Sequence, residues 1–414
     1  MNSVRTKFAN IDKIKVVWFI AMWIGICIFV IRGLQTHGAN IIRVLHRFDN
    51  DTFMDLFNSM SYERTPYENR VIYPPIVNLF YYILHAFIPQ DTFQSGMIAV
   101  RDSQMGRLLL GMYITITTLV ISYMVCKIKE GIVEEKFFFL VTILLTMPFI
   151  YQLERANMIL ISLFFLGIYI YGYNSENKYL KHIAFISLAV ATAIKIYPVF
   201  FGLLLIREDR WKDAGICILY GVIVFFFPFI FFGGIKNIGL FVDNIISCTN
   251  NMTNAGEGLK VNISNTITII SMWIFDGQDR LGILALVMKF ICFLGGIIII
   301  LFANYMEQWK IYMIPTLMMI LLPDFSFQYT LIFMIIPLMF FLDEKKRNKM
   351  SVVYLMLFIG VMIPLPNYDF AFLELFENDY YPLTSSIIVI SIILLLFMMI
   401  LWYEGFASIL KKRE

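Results

Sequence analysis

Charged residues are scarce in this chain. Only 15% of its 414 residues are Asp, Glu, Lys or Arg, whereas a soluble domain carries about 25%. With 59% hydrophobic residues and a mean hydropathy of +0.75, a soluble fold would leave too much apolar surface in water. The basic excess is small as well: 33 Lys and Arg against 30 Asp and Glu give +3, which is no signature of a nucleic-acid partner. His37, His46, His85 and His182 form no ligand cluster. Cys27, Cys126, Cys217 and Cys292 lie scattered in apolar stretches, and Cys248 falls in a more polar one. That spacing excludes a disulfide framework and a zinc site. No glycine-rich nucleotide motif, internal repeat or soluble domain is visible.

What the chain has in abundance is long apolar runs. A membrane span needs about 20 apolar residues, and Ile14–Ile31, Met105–Cys126, Ala214–Phe232, Leu281–Ala303, Val352–Leu365 and Ser385–Tyr403 read as spans. Ile14–Ile31 lacks a small-residue cleavage pattern and reads as a retained span, not a signal peptide. Between the long runs lie shorter pairs with polar tips: Phe137–Ile150 with Met158–Tyr171, Ile183–Ile194 with Pro198–Ile206, and Ile311–Leu322 with Thr330–Leu342. Each pair predicts a helical hairpin. The expected fold is all-α and polytopic, with about twelve transmembrane helices by this length criterion.

Basic residues set the expected orientation, because Lys and Arg concentrate in cytoplasmic loops. Arg5, Lys7, Lys13 and Lys15 precede the first span. Further clusters are Lys127 and Lys129; Lys178 and Lys181; Arg207, Arg210 and Lys212; Lys310; Lys345 to Lys349; and Lys411 to Arg413. Threading the spans places all of them on one side, with both termini cytoplasmic. The chain then reads as one membrane unit over 1–414: an outside loop at 34–104, core helices and hairpins at 105–342, and C-terminal helices at 343–414. Within the outside loop, Tyr73–Ile88 is expected as a helix lying at the outer interface rather than a further crossing. Gly233–Arg280 and Pro366–Thr384 are expected to face outside too.

Four places can carry chemistry. The outside loop holds Asp49-Asn50-Asp51-Thr52-Phe53-Met54-Asp55, and a carboxylate near the headgroups can take a proton from an attacking hydroxyl. Asp49-Asn50-Asp51 also spells a D-x-D tripeptide, which can hold a divalent cation at a sugar phosphate. The plainer reading is a solvated acidic loop. At the first hairpin tip, Gln152 to Asn157, the planar fork of Arg155 suits a phosphate oxygen; the alternative is a snorkelling arginine paired with Glu154. At the second tip, Lys195 is flanked by apolar residues and needs an anion, either a lipid phosphate or a buried carboxylate. At the third tip, Pro323 to Tyr329, polar and aromatic groups can cap a phosphate or stack on a sugar. Asp369, Glu374, Glu377 and Asp379 offer a further acidic loop.

The order of these pieces resembles the GT-C superfamily, and more narrowly glycosyltransferase family 87, which includes polyprenol-phosphate-mannose-dependent mannosyltransferases. The resemblance rests on Asp51 and Asp55, then Tyr67 and Tyr73-Pro74-Pro75, then Glu154-Arg155-Ala156-Asn157. It continues with Ala193-Ile194-Lys195-Ile196-Tyr197-Pro198 and its basic loop, and with Pro323 to Tyr329. It runs from Ile14 to about Leu342. Departures are Ala156 where Gly is usual, Asp324 after Pro323, and Gln328-Tyr329 where members often have His.

The resemblance implies transfer of a monosaccharide from a polyprenyl-phosphate donor to a lipid-linked or cell-envelope glycan acceptor. Transfer would be direct and inverting, at the extracytoplasmic face of the cell membrane, without an obligatory metal or other cofactor. Asp51, or failing that Asp55, is the expected base. Arg155, Asn157, Lys195 and Tyr329 are expected on the donor phosphate, and Tyr67, Tyr73 and Gln328 on substrate. Two alternatives stay open. A transporter of lipid-linked oligosaccharide predicts inverted repeats and a midplane site. A polysaccharide polymerase or ligase predicts arginines in a large late outside loop.

Overall fold

A backbone removed from water must satisfy its own N–H and C=O groups, and a helix does so within one segment. The computed structural model describes residues 12–38, 51–62, 64–252, 260–275, 278–364 and 385–411, and among these the chain is all-helical. In chain order the principal helices are α1 (Lys13–Gln35), α2 (Pro75–His85), α3 (Gln104–Ile128), α4 (Val133–Leu144) and α5 (Met147–Arg155). There follow α6 (Ile159–Gly172), α7 (Lys178–Ile194), α8 (Trp211–Phe226), α9 (Lys236–Met252) and α10 (Ile263–Ile274). The last are α11 (Gly282–Phe302), α12 (Gln308–Leu321), α13 (Ile335–Asp343), α14 (Lys349–Met362) and α15 (Ser385–Leu410).

Among the described residues five helices are long and apolar enough to cross a membrane: α1, α3, α8 with its continuation to Phe232, α11 and α15. Their 21–25 residues cover roughly 31–38 Å at about 1.5 Å per residue. A hydrocarbon core is about 30 Å thick. In none of them is more than 44% of the apolar window buried against the rest of the protein, so much apolar surface faces outward. The α4–α5 pair makes a sixth span only if its 57° bend is counted within one crossing.

The other expected crossings are too short on this criterion. The run Val352–Leu365 becomes α14, of 14 residues. The hairpin arms α5, α6, α7, α12 and α13 have 9, 14, 17, 14 and 9 residues. Their burial explains why short helices suffice. Every residue from Trp309 to Leu321 in α12 is buried, as is most of α13 and of the 3-10 turn Gln328–Met334 before it. A helix enclosed by protein need not match the thickness of lipid. The hairpins are the core, and the long spans stand around them.

The apolar stretch expected as an interfacial helix is one: residues 75–85 form α2, whose 11 residues reach roughly 16 Å and cannot cross a bilayer alone. Pro75 starts it at the position where a missing N–H costs nothing. The stretch 233–280 contains α9 and α10.

The basic clusters gather at one end of the bundle, tied by ion pairs. Arg347 meets Asp12 at 2.5 Å, Lys15 meets Glu135 at 3.0 Å, and Lys129 pairs with Asp343. Lys310 reaches both Glu307 at 2.8 Å and Glu404 at 2.7 Å, and Arg210 holds Asp213 at 2.7 Å. Exposed Tyr179, Trp211, Tyr305 and Tyr403 sit at the helix ends beside these clusters, where an interfacial aromatic belt belongs. The three hairpin tips lie at the other end.

Candidate functional site

The first tip is a chain reversal built on one backbone conformation. Helix α5 ends at Arg155, and Ala156 adopts φ 52°, in the left-handed region. This is a helix C-cap that glycine fills without strain; here a fully buried alanine occupies it. Its N–H closes the helix on Gln152 O at 3.0 Å. The carbonyl of Asn157 accepts from Gln152 Nε2 at 2.6 Å and from the Tyr113 hydroxyl. Asn157 Oδ1 accepts from Ile159 N at 3.2 Å, at the start of α6. With its oxygens so held, the Asn157 amide nitrogen points to Asp55.

The acidic loop docks on this tip through its backbone. Phe53 N donates to Glu154 O at 2.7 Å, and Phe53 itself has φ 65°. Arg101 Nη1 donates to Thr52 O at 3.1 Å, and the Tyr81 hydroxyl donates to Asp55 O at 3.0 Å. Asp55 lies in the short helix Met54–Phe57 and Asp51 just before it, on the other side of the left-handed Phe53. Both meet Arg155. Its Nη1 lies 2.7 Å from Asp51 Oδ2, and its Nη2 pairs with Asp55 Oδ1. Asn157 Nδ2 donates to the other Asp55 oxygen at 2.8 Å. Both oxygens of Asp55 are thus engaged, and its side chain is 15% exposed against 32% for Asp51. Asp51 is the more exposed of the two carboxylates.

Lys195 follows the last residue of α7 in an extended conformation that turns it out of the helix. Its Nζ lies 5.1 Å from the centroid of the Tyr73 ring and 5.6 Å from that of Tyr329. Tyr329 stacks on Tyr151 at 6.4 Å, and Tyr73 meets Tyr81 edge-on at 5.8 Å. Among the described residues Lys195 has no ion-pair partner, although Asp55 is near enough to act on it electrostatically. Burial, with Asp55 adding to it, raises the Tyr73 phenol well above its ordinary value, so that ring stays neutral. Two carboxylates, one guanidinium and one ammonium sum to zero formal charge. The ammonium is the cation not committed to a carboxylate.

The structure thus brings Asp51, Asp55, Arg155, Asn157, Tyr73, Lys195 and Tyr329 to one end of the molecule. It does not bring Tyr67 with them. The Tyr67 ring is enclosed by Phe229 at 5.4 Å, Phe241 at 5.5 Å and Phe232 at 6.3 Å, and its hydroxyl faces the Tyr73 carbonyl at 3.4 Å. It supports the strand of chain that carries Tyr73. Gln328 is buried at the start of the turn before α13. Asp49, Glu63, Asp369, Glu374, Glu377 and Asp379 lie outside the described residues, so the D-x-D pairing has no geometry here. Among the described residues no three His, Cys, Asp or Glu side chains converge on a metal position.

Sequence reasoning missed Tyr113, Tyr151 and Tyr81, whose only signal is a hydroxyl within an apolar run. It also missed Lys289, the single charged residue in the 21-residue α11, and a lone charge in such a run is a visible signal. No protein-family model matches the chain, and no curated protein matches its sequence.

Proposed function

We propose that the chain is a multi-pass glycosyltransferase that moves a sugar from a polyprenyl-phosphate donor to a glycan or glycolipid hydroxyl. The observation that carries this reading is Lys195, a cation without a carboxylate partner among the described residues, set beside a carboxylate pair clamped by one arginine. A lipid-linked phosphate supplies the anion that Lys195 lacks, and Asp51 supplies the base. The two aromatic rings flanking Lys195 shield it from water.

In this mechanism the acceptor hydroxyl attacks the anomeric carbon and passes its proton to Asp51. The bond from that carbon to the phosphate oxygen breaks, and its electron pair stays on the phosphate. Lys195 offsets the negative charge that develops there. Arg155 holds Asp51 and Asp55 in place; its fork is already filled by them, so its role is positioning and not phosphate binding. Asp55, locked by Arg155 and Asn157, anchors the acidic loop. No step needs a metal, although a divalent cation at Asp49 and Asp51 is the competing reading.

By the distribution of basic residues, the tip-bearing end faces the extracytoplasmic side and the ion-paired end faces the cytoplasm. The short hairpins then deliver the site at the outer interface, and the long spans let the donor's lipid chain approach from the bilayer. The test is transfer by the purified protein in liposomes, from labelled polyprenyl-phosphate mannose, glucose or galactose to extracted glycolipid. Transfer lost with Lys195→Met and with Asp51→Asn supports the reading. Movement of intact lipid-linked sugar across the bilayer without transfer replaces it with the transporter reading.

A further inference from the structure

Helix α11 is apolar apart from Lys289, placed seven residues from its start, about 10 Å along the axis. A lysine in such a segment is costly unless it faces a partner. Its partner is Asp324, in the third tip, with which it forms an ion pair. The carboxylate is held from other sides too. The Ser264 hydroxyl lies 3.4 Å from Asp324 Oδ1, and Asn262 Nδ2 donates to the Asp324 carbonyl at 3.0 Å. The tip backbone is pinned by Val261 N on Ser326 O at 2.9 Å and by the Ser326–Thr330 hydroxyl pair at 2.9 Å.

If neutralising Lys289 were the whole purpose, the carboxylate would be at least as buried as the lysine. The reverse holds: Asp324 is 38% exposed and Lys289 20%. The carboxylate is the group presented, and the lysine stands behind it. Asp324 acts electrostatically on the phenol of Tyr197, two residues on from Lys195. Three residues past Asp324 comes Phe327, whose ring lies 5.6 Å from that of Tyr329, the ring under Lys195. A fixed, partly exposed carboxylate on the same tip as the Phe327 and Tyr329 rings has the chemistry that binds a pyranose. The carboxylate accepts from ring hydroxyls, and an aromatic face covers the apolar C–H side.

We propose that Asp324 reads hydroxyls of the sugar carried by the donor, with Lys289 as its positioning residue reaching in from a membrane span. This rests on the glycosyltransferase reading and adds the part of the site that selects the sugar. Lys195 takes the phosphate, common to every polyprenyl-phosphate sugar, and Asp324 takes what differs between them.

The test compares binding of two ligands to the purified full-length protein in detergent: polyprenyl-phosphate sugar, in mannose, glucose and galactose forms, and bare polyprenyl phosphate. Hydrogen bonds to a charged group account for roughly 10- to 150-fold in affinity. Asp324→Asn is therefore expected to weaken the preferred sugar donor by about that factor and flatten the preference among sugars. Binding of bare polyprenyl phosphate stays unchanged, which also shows that the variant is folded. Lys289→Met should weaken the sugar donor in the same selective way, and Lys289→Arg should restore it. Equal loss for both ligands, or no loss for either, overturns the proposal. A loss confined to the acceptor's KM also overturns it, because the subsite then belongs to the acceptor. If the folded wild-type protein binds no polyprenyl-phosphate ligand, the glycosyltransferase reading itself fails and this one with it. If it binds the sugar donor more tightly than the bare phosphate and Asp324→Asn leaves that gap intact, only this inference fails.

Discussion

Replacing Lys195 by methionine separates function from stability more cleanly than any other change at this site. The unbranched side chain keeps apolar volume between the Tyr73 and Tyr329 rings and removes the charge. Lys195 has no ion-pair partner among the described residues, so its loss strands no acid. Arg155 is the contrast: it is 12% exposed and holds two carboxylates. Breaking a buried pair costs about 3–5 kcal/mol, and the partial exposure of Asp51 argues for the lower end. Lys195→Met should therefore melt within about 1 kcal/mol of wild type, the size of its lost cation–π contacts. Donor affinity should fall roughly 10- to 150-fold, the factor for charge-assisted hydrogen bonds worth about 1.5–3 kcal/mol. Thermal unfolding in detergent and titration with polyprenyl-phosphate sugar measure the two effects. Normal donor binding by Lys195→Met refutes the phosphate assignment. A loss of stability as large as that of Arg155→Met refutes the claim that Lys195 lacks a structural partner.

Four further outcomes are expected. Asp51→Asn should lower turnover about 100- to 10,000-fold, the contribution of a positioned general base, with donor binding little changed; full turnover sinks the assignment. Asp55→Asn should cost less turnover but more stability, because both of its oxygens are engaged, and paired melts and rates on the two variants decide this. Ala156→Gly should stabilise the protein by roughly 1 kcal/mol, since the left-handed conformation at φ 52° costs an L-residue about 1–2 kcal/mol; an unchanged or lower melting temperature contradicts it. An impermeant thiol reagent on intact cells should label a cysteine at Ser61 and not one at Asn348, and labelling at Asn348 reverses the orientation.

Much of the fold was legible because lipid makes apolar length informative. The runs that became α1, α3, α11 and α15 were readable within a few residues, and the hairpin tips fell where the sequence put a polar break between apolar arms. Length misled where burial is by protein. An apolar stretch reads alike whether it meets lipid or neighbouring helices, so α12 and α14 looked like crossings although they have only 14 residues each. The helices within 233–280 were not legible for the converse reason. Helix α9 is amphipathic, with Phe241 buried against Tyr67 and Val242 and Ile246 exposed, and an amphipathic helix breaks up the run that a span search looks for.

The site was legible as composition and illegible as wiring. A charge next to an apolar run must have a reason, which singles out Arg155 and Lys195. Which of them is already paired within the protein is a question of partners, and partners come from segments roughly a hundred residues apart. Arg155 meets Asp51 and Asp55 across separations of 104 and 100 residues, a pairing no local pattern announces. Once it is known, the roles divide by what each group still has to give. The Arg155 guanidinium is filled by two carboxylates, whereas the Lys195 ammonium faces two neutral rings and pairs with no carboxylate among the described residues. Ala156 belongs to the same logic. The left-handed turn places Arg155 and Asn157 on either side of one residue, so both reach Asp55 from a single tip. A right-handed Ala156 would continue the helix and turn one of them away. The strain at that residue is thus the local condition for the long-range pairing, and it explains why a non-glycine residue is tolerated there: the contacts on both sides of Ala156 hold the turn that the alanine itself disfavours.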